Sequence, residues 1–359
     1  MILLLLAAAA AAAPYTDRTI QIAIAHRVRE IVVEPQATFV ARDHEGTRQL
    51  PPGRRREYVS PMTAPTVLDA AEPGGTIKVG SKLYRARIII RPDEGGSLTA
   101  IAETSMENYL LGVLPYEMSP DWPLEALKAQ AVVARTYAYY NLGKHRKAGF
   151  DLTADTRSQV YGGLGLESEL VRQAVRETRG EVLGYGGELL KVFYHACCGG
   201  HTMDAAAVWG GKSEKPLRGV KDRWCADSPY YRWTAYFGDH AVLAAASATR
   251  LIGGRLRSVR VADRDASGQV RTFSIRAGAE TLTVKAAELR RRLGPAELRS
   301  TRVEKIRLLK KGVEFIGRGS GHGVGLCQWG ARLQAEDGRK YETILKFYFP
   351  GSVLSVVDE

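Results

Sequence analysis

The chain has 359 residues, 45% of them hydrophobic and 25% charged, and a formal charge of +12. That length and mix are ordinary for a folded soluble protein with room for two domains, and they leave no case for a disordered chain. The positive balance points to an anionic partner, nucleic acid or another acidic polymer, but Lys and Arg are spread along the chain and not gathered in one block.

Residues 2–13, ILLLLAAAAAAA, are apolar without interruption and are followed by Pro14. At about 1.5 Å of rise per residue this run is too short for a hydrocarbon core of about 30 Å. It fits the h-region of a secretory signal, with Ala11 and Ala13 resembling an A-x-A cleavage site, although a basic n-region is missing. A buried alanine-rich helix is the other reading. Residues 1–14 are set aside as a signal peptide, and the mature protein is expected to be exported to the periplasm or cell envelope. No later segment is long and apolar enough to cross a membrane, so no transmembrane span is expected in the mature chain.

From Thr19 to about Ile101 the text is β-like, with IQIAIA and ARIIIRP alternating or running apolar in β-branched residues. Between them PPGRRREYVSP reads as a flexible basic connector, with a nucleic-acid patch as the weaker reading. Then comes ENYLLGVLPYEMSPDWPLEALKAQAVVARTYAYY, from Glu107 to Tyr140. It sets Glu117 among Leu114, Pro115, Tyr116 and Met118, where an isolated acid is expected to be held in its neutral form by burial. A general acid working near neutral pH needs that. The plainer alternative is a helix-end carboxylate in water. In the helix that follows, Asp121 is the expected N-cap and Pro123 falls near the first turn. Leu124, Leu127, Ala131, Ala134 and Ala138 make one apolar face, and Gly143 is the expected stop. Lys128 and Arg135 are a heptad apart, as are Gln130 and Tyr137, so each pair shares a side. Either that side is solvated, or it points Lys128, Gln130 or Arg135 into a cleft beside Glu117.

Met106 to Gly180 is expected to be mainly helical, SELVRQAVRETRG being amphipathic and ending at Gly180. EVLGYGGELLKVFYHA predicts a hairpin turning at Gly186 and Gly187. VRVADRDASGQVRTFSIR predicts another, and VKAAELRRRLG a short helix. The last part predicts a glycine-rich loop followed by two short helices. Segregated helices and hairpins argue for an α+β fold, a mainly helical core with β-hairpins preceded by a β-rich N-terminal region.

GRGSGHGVGLCQWGA surrounds His322 with glycines that allow unusual backbone angles and close approach to a ligand. It is neither a phosphate loop nor a dinucleotide fingerprint. His195, Cys197, Cys198 and His201 fall in seven residues, with Cys225 and Cys327 further on. Thiolates and imidazoles at that density can bind zinc. In an exported protein one of the adjacent cysteines can instead bond Cys225, and free thiols are the third possibility. The spacing matches no standard zinc finger.

Read in order, several motifs stand together: Glu107-Asn-Tyr-Leu, Pro115-Tyr-Glu117-Met118, Ala126-Leu-Lys128-Ala-Gln130-Ala, Ala134-Arg135-Thr136-Tyr137, Asp155 through Gln159-Val-Tyr161-Gly, His195 to Thr202, Trp209, Gly321-His322 through Gln328-Trp-Gly330, and Ile344 to Gly351. The chain resembles the SpoIID/LytB domain family, that of stage II sporulation protein D and the amidase enhancers, from about Leu98 to Val356. The resemblance implies residues 15–97 as an N-terminal β-rich region and 98–356 as the catalytic domain, with 236–305 an inserted hairpin-and-helix module. It implies a protein that works on peptidoglycan glycan strands, with a cell-wall amidase as a possible partner and no nucleic acid. Sporulation members are lytic transglycosylases acting on strands stripped of stem peptides, and their catalytic acid corresponds to Glu117. Lys128, Gln130, Arg135, Tyr137, Gln159, His322 and Gln328 are the expected substrate contacts. Lys128, Arg135 or Arg318 would hold the lactyl carboxylates of a denuded strand, Arg best by a bidentate contact. Tyr137, Tyr139, Trp122 and Trp329 could stack on sugars. Catalysis requires no cofactor. A structural zinc at His195, Cys197, Cys198 and His201 is expected, with a Cys198–Cys225 disulfide as the alternative. A non-catalytic glycan binder that stimulates an amidase is the competing function.

Overall fold

The β-branched text of the N-terminal third forms strands that bury alternate residues, as a period of two demands. Thr19–Val28 buries Ile20 and Ile22, and Arg87–Pro92 buries Ile88 and Ile90. The computed structural model describes residues 16–247 and 255–357, so the expected signal segment with Ala11 and Ala13 lies outside the described residues. Contacts divide the chain into two units, Met1–Lys191 with Val353–Glu359, and Val192–Ser352. Helices and strands are mixed and largely segregated, an α+β fold.

In the first unit a seven-stranded sheet runs in the order Leu152–Thr153, Thr19–Val28, Leu98–Ser105, Arg87–Pro92, Thr66–Ala70, Phe39–Asp43, Gly46–Leu50. Neighbours are antiparallel except the first pair. Leu98–Ser105 is nearly all buried, with Ile101 opposite Ala23 on one side and Ile89 on the other. Residues on both sides of position 97 therefore share one sheet. A four-stranded sheet holds Arg56–Val59, Glu30–Pro35, Ile77–Val79 and Lys82–Tyr84. The expected connector is thus half strand. Arg56–Val59 pairs as an edge with Glu30–Pro35 and buries Tyr58, the apolar residue inside the basic run.

Four helices follow. The first, α1 (Met106–Leu111), is capped by the Ser105 hydroxyl, which accepts from Asn108 N at 3.3 Å. After it come α2 (Leu114–Glu117), α3 (Leu124–Tyr140) and α4 (Glu169–Glu177). Asp121 does not cap α3. Pro123 occupies the cap position and offers no side-chain hydrogen bond, while Asp121 is exposed. A proline with extended ψ already turns the chain into the helix and has no N–H to satisfy. The hairpin after α4 forms as the glycines predict. Tyr185 pairs with Glu188 across Gly186 and Gly187, whose φ values of 64° and 85° fit a type I′ turn. Its first strand, Glu181–Tyr185, also pairs with Val353–Val356.

A buried ion pair ties these elements. Arg135 of α3 is fully buried and reaches Glu107 of α1 through two bonds, Nε to Oε1 at 2.9 Å and Nη2 to Oε2 at 2.7 Å. Its Nη1 donates to the Glu181 carbonyl at 3.1 Å, and the next residue's hydroxyl, on Thr136, accepts from Leu183 N at 2.9 Å. Helix and hairpin are locked by polar contacts as well as by packing.

The second unit contains two three-stranded sheets, Arg232–Gly238 with Gly312–Arg318 and Val303–Leu309, and Leu256–Arg264 with Val270–Ala277 and Glu280–Lys285. The helices α6 (Asp239–Ala246) and α7 (Ala286–Leu293) belong to the same core, which includes Phe237, Val242, Phe273, Ile275, Leu289 and Phe315. The second unit also holds α5 (Ala205–Trp209), α8 (Gln328–Glu336), α9 (Tyr341–Tyr348) and a short parallel pairing of Tyr194–His195 with Leu326–Cys327.

Replacing Arg135 by Met keeps most of its volume and strands the Glu107 carboxylate. We expect a loss of about 3–5 kcal/mol, read as a lower urea midpoint. An unchanged midpoint would show that the pair holds nothing together.

Candidate functional site

Glu117 ends the single turn of α2. Its neighbours Leu114, Pro115 and Met118 are buried while its own side chain is half-buried. Two tyrosines lying on glycines fix that turn. A Cβ on Gly162 would meet the Tyr116 ring at 1.9 Å, and one on Gly112 would meet the Tyr161 ring at 2.4 Å. The backbones of the two segments are bonded from Gly162 N to Gly112 O at 3.0 Å, and Tyr116 Oη donates to Gly162 O at 3.1 Å. This lacing brings Val160 N to 3.0 Å from Glu117 Oε1, where it donates to the carboxyl group.

The phenols of Tyr109 and Tyr137 sit in the field of Glu117. Burial first, and then neighbouring groups that include Glu117, push both phenols up, so they stay protonated as donors. Tyr109 Oη donates to Gln159 Oε1 at 3.2 Å, and Gln159 is buried. The sequence candidates Glu117, Tyr137 and Gln159 thus belong to one neighbourhood. Such a site can donate a proton from a single carboxyl group and take one back.

The other α3 candidates are committed elsewhere. Arg135 is buried against Glu107, which takes it out of reach of a ligand. Lys128 lies 2.5 Å from Glu177 and 3.3 Å from Glu125, with its side chain 12% exposed. Gln130 is fully buried, and both of its amide atoms lack a hydrogen-bond partner. The heptad spacing did place Lys128 and Arg135 on one side of the helix, but that side is covered by acids of α1 and α4. Tyr139 is buried as a core aromatic.

In the second unit a cleft of about 510 Å³ is lined by Trp209, His322, Arg271, Thr272, Lys285 and Arg290 among others. Trp209 is 51% exposed and stacks on Phe193 at 4.4 Å between ring centroids. His322 lies 5.2 Å from Trp209 and 5.6 Å from His195. Val324 addresses both imidazoles. Its N–H donates to His322 Nδ1 at 3.1 Å, and its carbonyl lies 3.1 Å from His195 Nδ1. Gly325, at φ 74°, permits this close packing, since a Cβ there would sit 2.1 Å from the Phe193 carbonyl oxygen. Burial, the first cause for each ring, pulls His322 down to about 3 and His195 down to about 4, so both are neutral at pH 7. Arg290 Nη2 donates to the Pro295 carbonyl at 3.4 Å, while its buried Nε has no partner. Sequence reasoning missed Arg271, Lys285 and Arg290 as a group, because they come from a strand, a strand end and a helix with no shared motif. Arg318, expected to hold a carboxylate, pairs instead with Glu304 at 2.6 Å and donates to Tyr231 Oη. Gln328 is buried at the start of α8.

The expected zinc quartet does not converge. His195 Nδ1 is engaged by the Val324 carbonyl and His201 Nδ1 by the Thr202 carbonyl at 2.6 Å. Cys197 Sγ lies 3.9 Å from the Cys225 carbonyl, and its thiol also meets those of Cys225 and Cys327 rather than the two histidines. Among the described residues the donors that do converge are those of Cys198, Asp222, Cys225 and Cys327, all buried and within 4.8 Å of one another. Of the expected four, only Cys198 belongs to that group. Cys198 and Cys225 face each other as thiols, with their sulfurs 3.4 Å apart. Asp222 gave no sequence signal, being a single acid in an irregular turn.

The α+β fold is compatible with the SpoIID/LytB family, and its matches show that the chain belongs to it. The stage II sporulation protein family matches residues 94–185, and a domain of unknown function (DUF8618) matches residues 214–325. An uncharacterized protein of Brachyspira hyodysenteriae is 33% identical over 84% of this chain and 85% of its own length. The stage II sporulation protein D of Bacillus amyloliquefaciens is 30% identical over 72% of this chain and 76% of its own. The amidase enhancer of Bacillus subtilis is 32% identical over 68% of this chain, which spans 40% of that longer protein.

The depressed His195 pKa gives a signed pH dependence. Below an ordinary value of 6.5 the unfolded ring binds a proton, while the folded ring does not until about pH 4. Stability is therefore lost as pH falls from 6.5 to about 4 and levels off below. The slope is about 1.4 kcal/mol per pH unit, or about 2 kcal/mol by pH 5. Urea titrations at pH 7 and pH 5 should show a drop that is smaller by that amount in His195→Gln. Equal drops in both proteins would refute the assignment.

Proposed function

We propose that this chain is an exported lytic transglycosylase of peptidoglycan, with Glu117 as its acid and base. The observation that carries the reading is the half-buried carboxyl group of Glu117, which accepts from Val160 N–H and whose field reaches the protonated phenols of Tyr109 and Tyr137. Membership of a family whose relatives are named for sporulation and for amidase enhancement supports a role in the cell wall.

Glu117 in its acid form gives its proton to the glycosidic oxygen between N-acetylmuramic acid and N-acetylglucosamine as the C1–O bond breaks. The sugar's own 6-hydroxyl then bonds to C1, and its proton passes to the Glu117 carboxylate. A 1,6-anhydro ring closes and the carboxyl group is restored. No water is consumed, so the second carboxylate that hydrolysis requires has no task. Stem-peptide removal frees a lactyl carboxylate on each muramic acid, and a cationic protein suits that polyanion. Within the second unit, Arg271, Lys285 and Arg290 line a cleft whose charge suits a carboxylate, and exposed Trp209 offers a face to a sugar ring.

A non-catalytic glycan binder that stimulates a cell-wall amidase is the second reading. The likeness to an amidase enhancer and the Trp209 cleft favour it.

Mass spectrometry of purified, amidase-treated glycan after incubation separates the two. Glu117→Gln should lower release of anhydromuramyl products by about 100- to 10,000-fold with an unchanged circular dichroism spectrum. Full activity in that variant would sink the catalytic assignment, and no product from the parent chain would favour the binder. Trp209→Ala should weaken retention on insoluble glycan about tenfold, the loss of one stacking contact of about 1.4 kcal/mol. Unchanged retention would remove the cleft from the binding surface.

A further inference from the structure

We propose that Cys198, Asp222, Cys225 and Cys327 form a closed structural zinc site in the second unit. The ligands come from three separate segments. Cys198 lies in the loop after the strand Tyr194–His195, Asp222 and Cys225 share one turn, and Cys327 caps the N-terminus of α8.

The distances suit the metal. Cys198 Sγ lies 3.4 Å from Cys225 Sγ and 3.2 Å from Asp222 Oδ2, and all four donor atoms fall within 4.8 Å of one another. A tetrahedron with Zn–S arms of about 2.3 Å has edges of about 3.8 Å, so shifts of a few tenths of an ångström would seat the ion. Three sulfurs and one carboxylate are a soft set that selects zinc over calcium or magnesium.

The surroundings point the same way. Asp222 is fully buried, and no Lys or Arg pairs with it among the described residues. A carboxylate out of water without a cation is costly, and a divalent ion removes that cost. Its two oxygens are nevertheless aimed, Oδ1 by Trp224 N at 2.8 Å and Oδ2 by Tyr348 Oη at 2.9 Å. The sulfurs are treated as anions would be. Backbone N–H groups of Cys198 and Gly330 donate to Cys327 Sγ at 3.3 and 3.4 Å, and Gly200 N donates to Cys198 Sγ at 3.4 Å. Such outer partners orient ligands and disperse thiolate charge. Each of the three thiols gives up its proton to solvent as zinc binds. The four protein ligands fill a tetrahedron, so the ion has no open position for chemistry and acts as a brace. The Cys197 thiol also faces those of Cys225 and Cys327, but it is not among the four donors that lie within 4.8 Å of one another.

This site does not depend on the reading of Glu117, and its test does not use activity. The full chain is purified, equilibrated with zinc sulfate and dialysed, and its metal content is measured. Thiols are then counted in denaturant with and without a chelator. One zinc per chain and four thiols once the chelator is added are the expected result. Two thiols missing with no metal would establish the Cys198–Cys225 disulfide and overturn the proposal, as would four thiols without metal. Cys197→Ser should keep the full zinc content and the thiolate-to-metal absorption of the cobalt-substituted chain, whereas Cys327→Ser should lose both. Loss of zinc in Cys197→Ser would overturn the ligand set even if Cys327→Ser fails to fold.

Discussion

The first unit depends on one buried charge. Arg135 sits in the middle of α3 with no access to water, and its guanidinium is answered on two sides, by the Glu107 carboxylate and by the Glu181 carbonyl. A bidentate fork has a fixed plane, so it sets orientation where apolar packing alone would allow sliding. Glu107 also accepts from Gly180 N at 3.3 Å. Helices α1 and α3 and the hairpin at 181–189 are thereby referred to one another through a single pair of side chains.

Upon that frame Glu117 is placed by close approach more than by charge. Tyrosine rings press against backbone where glycine leaves room, and the two laced segments carry the carboxyl group and the N–H that orients it. A half-buried acid held this way has a defined direction, which suits a group that must alternate between giving and taking a proton. The second unit contributes different material, a cationic cleft with an exposed indole and a pair of imidazoles kept neutral by burial.

Periodicity and turn chemistry made much of the fold legible. The Gly186–Gly187 hairpin, the helix α7, and the hairpin of Leu256–Arg264 with Val270–Ala277 follow from local pattern, because local backbone preference and tertiary pairing agree there. The site was legible in part. Glu117 stands out as one acid in an apolar stretch, and Tyr137 and Gln159 join it. Arg135 and Lys128 misled because spacing tells which residues share a helical side, not what covers that side. The covering acids, Glu107 and Glu177, lie 28 and 49 positions away. Asp121 misled because a proline can take over the cap with backbone angles alone. The cysteines were visible as a cluster but not as a polyhedron. Three of the donors, Asp222, Cys225 and Cys327, are supplied by segments far from the HACCGGH run, and the two histidines in that run turn to backbone carbonyls.

The strand Val353–Val356 closes the edge of Glu181–Tyr185, with Gly184 opposite Val353 and Glu181 opposite Val356. The whole of Val192–Ser352 lies between those partners in the chain. A polypeptide emerging N-terminus first must therefore leave one flank of its earlier portion unzipped until Val353–Val356 has followed the whole second unit. The inner portion can settle on its own while the outer one waits. Folding is thus nested, like parentheses, and any agent that guards nascent chains against premature edge-to-edge pairing has its longest task at that one exposed flank.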